Sequence, residues 1–430
     1  MAARSASTAS ILRNGRTRGD GSRISPRPIR CSRSGSKGSS SGMYGDAWAL
    51  EEVGRAARIH NANTAGAKRY RMGEKANSWG MRGKRTTRLS LDPIMTLLHV
   101  VSTRGGLVES SHRVSAAVVR ADGSRLAQAG NPDLVTFWRS AAKPFQAMPL
   151  VADGAADRWH LSTEELALVC GSHSSEAEHL RVVDGLLRKI GCQESDLACG
   201  GHAPLSAVGA QHLASLGIAP TARWSNCSGK HAGMLALARH HGWPHAGYQQ
   251  GEHPVQQRIA QEVARWAGMG NEEMGRAVDG CGVQTFALPL HAMATAYARF
   301  GVSTERAATR LREAMIQCPF MVAGTGRLCT DLMEAAAGGI IAKVGAEGVY
   351  SAALPLDGIG IALKVEDGDM RSAGPALLGL LAALAHHDGL ETRLEEPLRA
   401  VESQRVVPIR NTLGELTGAL EPVGGVRFLT

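Results

Sequence analysis

Apolar positions show no periodicity over the first 93 residues and become patterned from Met95 onward. Residues 96–102 (TLLHVVS) and 114–120 (VSAAVVR) have the β-branched, apolar character of strands. The second run leads into Asp122-Gly123, a dipeptide suited to a two-residue hairpin turn. The pattern then becomes helical. A helix carrying Ser140 is expected to break or kink near Pro149. Ser162-Thr-Glu-Glu165 has the form of a capping box and predicts a helix through Val169, followed by a loop over Cys170–Ser174. A charged amphipathic helix is expected from about Glu176 to Ile190, stopped by Gly191, so that Ser172 falls between two helices. Asn226-Cys-Ser-Gly-Lys-His231 precedes an Ala- and Leu-rich helix to His241, ended by Gly242 and Pro244. Further helices are predicted over 253–268, 290–300 and 303–316. Strand patterns return at 340–343, 348–353 and 359–365, separated by Gly-containing turns, and a last helix is predicted over about 373–386.

Strands first, helices in the middle, strands near the end and a closing helix predict an α+β fold: an antiparallel sheet packed with helices, with a helical subdomain. No internal repeat interrupts that layout. Residues 1–93 are rich in Ser, Gly and Arg, with a low-complexity run CSRSGSKGSSSG from Cys31 to Gly42. Such a segment cannot bury enough apolar surface to offset its ordering entropy, so it is expected to be disordered. It suits a transit peptide, or, as the preferred reading, an upstream stretch with Met95 as the true start. Residues 94–430 are expected to be the catalytic domain.

Charge supports the same division. Residues 1–90 hold 19 Lys and Arg against 5 Asp and Glu, so a chain of net charge +9 carries −5 over its remaining 340 residues. The high pI therefore belongs to the extension, and no nucleic-acid partner is expected for the body. Eight cysteines without dense, even spacing favour a reducing compartment, and a cytoplasmic location is expected. The apolar run Ala376–Ala385 is half of the ~20 residues a membrane span needs. No membrane partner is expected, and no apolar secretory segment follows the first Met.

Ser140 and Lys143 lie three residues apart in a helix's first turn and share a face, which makes them a candidate nucleophile and base. A solvated polar turn would carry the same four-residue pattern. Cys170-Gly-Ser172-His-Ser174 offers a loop serine between helix ends, although capping is a commoner role for such a serine. Lys343 ends a strand ahead of glycines, where a solvated lysine is the plainer reading. The order S-x-x-K, loop serine, strand lysine and glycine resembles that of penicillin-recognising serine enzymes, without their K-[ST]-G form. Cys227 and Lys230 lie one turn apart at a helix start, and Cys281 follows in Asp279-Gly-Cys281-Gly. Two such cysteines could hold a zinc ion, or be plain buried thiols.

These blocks together, RGGLVESSHR (104–113), RSAAKPFQAMPLV (139–151), CGSHSSEAEH (170–179), NCSGKHAGMLA (226–236), DGCGVQTFALPL (279–290) and AKVGAEGVYSAALP (342–355), resemble the Rhizobium etli type of L-asparaginase, the asparaginase II family. The resemblance covers about residues 95–430 and implies a serine β-lactamase/transpeptidase-like fold that hydrolyses L-asparagine to L-aspartate and ammonia. It implies one pair of Ser140 with Lys143 and a second of Ser172 with Lys343. It further implies that Cys227, Lys230 and Cys281 bind one zinc ion, that Arg139, His231 and Asp279 shape the pocket and receive the substrate's α-groups, and that the protein is a homodimer. To ligate zinc Lys230 must be neutral, and the helix start, desolvation and the metal could each lower its pKa.

The nucleophile is expected to be Ser140, and Ser172 is the alternative. A penicillin-recognising hydrolase and a non-enzymatic binding module with a basic nucleic-acid-binding tail are the competing readings.

Overall fold

The computed structural model describes residues 97–386 and 390–429. The extension of residues 1–93, its expected disorder and the boundary at 94 lie outside the described residues. Strand β1 (His99–Arg104) and the long β2 (Leu107–Arg120) form a hairpin through Gly105 and Gly106, whose φ values of 55° and 82° few other residues adopt. The first half of β2, LVESSHR, is mostly exposed and polar, which is why only its apolar second half stands out in the sequence. That second half pairs with β3 (Arg125–Ala129) and with β9 (Ile359–Val365). Beyond β9 come β8 (Val349–Leu354) and then β7 (Ile341–Val344), every pairing antiparallel. On the other flank β1 pairs with β11 (Leu416–Val423), and β11 with β10 (Val407–Arg410).

Strands β8 and β9 are buried along their whole length. Helices Leu290–Val302 and Met370–Ala385 both lie against them, so the centre of the sheet reads as apolar runs rather than alternation. Gly360 permits the first of these contacts, since a Cβ there would stand 2.0 Å from Ala294 O. A separate three-stranded sheet, β4 (Val135–Phe137), β6 (Gln284–Pro289) and β5 (Gly275–Val278), brings two distant segments together.

The expected α+β class holds, and so do the capping box at Ser162 and the helix stops at Gly191 and Gly242. Three expectations are corrected. The turn at Asp122-Gly123 takes four residues, because Asp122 Oδ1 accepts from Ser124 N at 2.8 Å and Gly123 adopts φ 91°. Pro149 does not break helix Lys143–Ala152; it stands near the helix end, and its carbonyl still accepts from Asp153 N at 3.0 Å. The helix Met370–Ala385 does not close the chain. Helices Glu391–Ala400 and Glu402–Arg405 lead back to β10, β11 and β12 (Arg427–Phe428), the last pairing with β3. Strand β11 escapes the sequence pattern because Leu420 is its one fully buried residue and Gly418 and Pro422 interrupt it. Among the described residues, no helix is long and apolar enough to cross a membrane.

Candidate active site

The site lies where the small sheet, the edge of the large sheet and two helix starts meet. Strand β4 delivers Trp138 and then the 3₁₀ turn Arg139–Ala142, from which Lys143 opens its helix with Pro144 in the first turn. Trp138 is anchored by its indole N–H to Ser351 Oγ at 3.1 Å and by stacking on Phe145, and Tyr297 donates to Ala141 O at 2.8 Å. Arg139 takes φ 53°, a left-handed conformation that costs a non-glycine residue free energy and persists where its surroundings enforce it. Its Nε donates to Asp279 Oδ1 at 2.7 Å, a pairing made possible because β4 and the β5–β6 hairpin belong to one sheet.

Ser172 follows the helix Thr163–Val169 in a loop pinned at both sides: Ser172 N donates to Val322 O at 2.8 Å and Arg327 donates to Ser172 O at 2.8 Å. Gly171 is required beside it, since a Cβ would lie 2.6 Å from Met321 O. Helix Ser228–His241 crosses the same helix closely through Gly229 and Gly233, where added Cβ atoms would come within 2.7 Å of Leu168 and of Val169. This close crossing brings Cys227 and Lys230 to the site.

Both candidate lysines converge on one hydroxyl. Lys143 Nζ lies 2.9 Å from Ser172 Oγ and Lys343 Nζ lies 2.9 Å from the same atom. Lys143 also donates to Gly171 O at 2.6 Å, and Lys343 to Val344 O at 2.7 Å. The partition into one lysine per serine is therefore not the arrangement found: Lys143 reaches past Ser140 because the deeper position offers Gly171 O as well as a hydroxyl. Ser140 is half-buried, and its hydroxyl has no hydrogen-bond partner among the described residues. Both lysines are wholly buried. Desolvation lowers the pKa of Lys143, with Lys230 pushing the same way, and lowers that of Lys343, with Lys143 adding to the effect. Both shifts run toward the neutral amine.

The sulfurs of Cys227 and Cys281 also act on the Lys143 amine, both opposing its desolvation. Lys230 Nζ is 3.1 Å from Cys281 Sγ. The hydrogen bond between Cys227 and Cys281 holds the Cys281 pKa down and the Cys227 pKa up, so the shared proton stays on Cys227. Burial alone would lower Lys230, but Cys281, Cys227 and Asp279 outweigh it and its pKa rises. Without a metal, the sulfurs and Asp279 oppose desolvation more strongly than the helix start assists it and favour the ammonium; the neutral amine expected of a zinc ligand belongs to the metal-bound state, where the ion competes with the proton. For Asp279 burial acts upward, yet Lys230 and Arg139 prevail and keep it ionised. Desolvation, then Lys230, brings His231 down to about 3.

Among the described residues no three His, Cys, Asp or Glu side chains gather as a metal set. The donor set expected from the sequence, two thiols and an amine, nevertheless converges, and its soft sulfurs suit zinc. Sequence reasoning did not find Arg327, Gly171 O or Asn226 O, which lies 3.4 Å from Lys143 Nζ. Backbone acceptors leave no residue signature, and Arg327 belongs to no recognisable spacing.

Residues 100–422 match the profile of the L-asparaginase II family, and the chain belongs to that family. Similar solved structures include a crystal structure of Mglu in its native form in 4.3 M NaCl, at 18% identity and TM-score 0.35 over 64% of this chain and 62% of that one. A putative β-lactamase from Bacteroides dorei DSM 17855 is similar at 12% identity and TM-score 0.30, over 64% of this chain and 87% of that one. The octameric penicillin-binding protein homologue from Pyrococcus abyssi is similar at 13% identity and TM-score 0.28, over 63% and 73%. The chain thus spans less than two thirds of the length of Mglu. No curated protein compared with the chain matches it.

Proposed function

We propose that the protein is an L-asparagine amidohydrolase that works through an acyl-enzyme on Ser140, with Ser172 and the two lysines handling protons. The observation that carries this reading is the approach of Lys143 and Lys343 to Ser172 Oγ, 2.9 Å each. A hydroxyl has one proton, so Ser172 can receive from one amine while giving to the other. That makes it a relay. Ser172 is also nearly closed to solvent, at 4% exposure. Ser140 is more open, and it belongs to the turn that starts at Arg139, the partner of Asp279, and runs directly into Lys143.

The substrate's α-carboxylate would meet the Arg139 guanidinium and its α-ammonium the Asp279 carboxylate, leaving the side-chain amide carbon at Ser140. The Ser140 oxygen bonds to that carbon while its proton passes to the neutral amine of Lys143. The proton moves by way of Ser172 and Lys343 to the departing nitrogen, which leaves as ammonia. Water then takes the place of Ser140 on the acyl carbon, its proton returns to the serine oxygen, and L-aspartate is released. Cys227, Lys230 and Cys281 would hold zinc, which when bound would polarise and position the substrate. The chain is proposed to act as a homodimer in the cytoplasm, without nucleic-acid or membrane partners.

The test is acid-quenched turnover of L-asparagine followed by peptide mass analysis. Ammonia release with an aspartyl adduct on the peptide holding Ser140 is expected; an adduct on the Ser172 peptide moves the nucleophile there. Absence of ammonia release, with rapid acylation by a fluorescent penicillin, would replace this reading with the penicillin-recognising one. For the metal, elemental analysis should give close to one zinc per chain, lost in Cys227→Ser and in Cys281→Ser. A metal-free protein with full activity and unchanged KM would leave both as buried thiols.

A further inference from the structure

Among the described residues, the buried polar atom His231 Nε2 has no hydrogen-bond partner. The ring's other nitrogen, Nδ1, lies 2.6 Å from Tyr248 Oη, and the same phenol oxygen accepts from Ala198 N at 2.9 Å. Tyr248 is 1% exposed, so its hydroxyl proton needs an acceptor inside the protein. Nδ1 is the acceptor within reach. If Nδ1 carried the ring proton instead, the tyrosine proton would have nowhere to go, and a second orphan would join Nε2. Satisfying the phenol therefore puts the ring proton on Nε2. Tyr248 is in turn held from behind, because the wholly buried Gln256 donates to its carbonyl at 3.0 Å. His231 follows Lys230 in the first turn of helix Ser228–His241, the helix start that brings Cys227 and Lys230 to the site, so its orphan Nε2 stands beside that site rather than in a remote part of the core.

We infer that Tyr248 is a positioning residue: by accepting from Ala198 N and donating to His231 Nδ1, it fixes the imidazole in the tautomer whose Nε2–H donates to a carboxylate oxygen of the bound amino acid. The inference rests on the proposed reading for the identity of the substrate, but not for the tautomer. An unpaired buried donor loses free energy until an acceptor arrives, which makes it selective for a substrate that brings one. Tyr248→Phe keeps the ring's volume and removes the hydroxyl.

The experiment is long-range ¹H–¹⁵N correlation on ¹⁵N-histidine-labelled protein, with His231→Gln to assign the signal, alongside steady-state ammonia release. Wild type should show His231 as a single neutral Nε2–H tautomer without substrate. Tyr248→Phe should show a mixture of tautomers, raise KM for L-asparagine roughly tenfold and change kcat less than about twofold, as the loss of one ~1.4 kcal/mol orientation would. A wild-type Nδ1–H tautomer overturns the inference, as does a Tyr248→Phe protein with an unmoved tautomer and KM. The ring signals are read without turnover, so an inactive wild type would defeat the proposed reaction while leaving the tautomer result to stand or fall separately.

Discussion

Ser172→Ala is expected to lower kcat on L-asparagine by on the order of 10²- to 10⁴-fold, the range of a lost proton-transfer group, while leaving the protein folded. Among the described residues the hydroxyl is the single atom to which both Lys143 and Lys343 bond, so its removal separates the two amines and interrupts the route between them. Little packing is lost, because alanine differs from serine by one oxygen and the loop is held by the backbone contacts of Ser172 N and O. The same geometry predicts strong non-additivity. Once Ser172 is gone, Lys343→Ala should cost less than about threefold more, since groups that act as one unit cannot each be lost separately. A double variant whose loss equals the product of the single losses would show that Ser172 and Lys343 act independently, and the relay would be wrong.

Much of this site is written in the sequence as residue types, but not as distances. Ser140, Lys143, Ser172 and Lys343 stand out because nucleophile and base chemistry needs those side chains, yet their pairing depends on how far a lysine's flexible stem reaches. Sequence neighbours Ser140 and Lys143 suggested a bond; the buried carbonyl of Gly171 drew the amine elsewhere. The approach of Arg139 to Asp279 was likewise hidden, because β4 has three residues, two of them exposed, and carries no usable apolar alternation. The helices read well where caps and periodicity agree, as at Ser162 and Gly242. The carboxyl-terminal strands read poorly because they cover the flank of the sheet with half-buried, Gly- and Pro-interrupted segments. The sign of the Lys230 shift could not be foreseen either, since it depends on sulfur and carboxylate groups some fifty residues away meeting one amine.

Lys343→Met is expected to raise Tm at neutral pH by a few degrees while reducing kcat on the order of 10²-fold or more, the loss expected of a general acid–base group. Lys343 lies wholly buried on the edge strand β7, and among the described residues no carboxylate is one of the main groups that perturb it; desolvation comes first, then the neighbouring Lys143 amine, and together they put its pKa well below the usual lysine value. The unfolded chain restores a lysine pKa of about 10.4. Between the depressed folded value and that figure the unfolded state binds more protons than the folded state, so wild-type stability must rise with pH across that window. Folding therefore costs most at lower pH, where a proton has to be shed or kept in a dry site. Methionine fills a similar volume without a charge, at the loss of the bonds to Val344 O and Ser172 Oγ, about 1 kcal/mol each. Its advantage over lysine should accordingly be largest at neutral and acid pH and shrink toward pH ~10 as the unfolded lysine also becomes neutral. Paired thermal melts of the two proteins from about pH 6 to 10 give the answer. A Tm difference that stays constant with pH would mean that Lys343 binds its proton equally in both states, and its role as a neutral amine in the relay would fall with it.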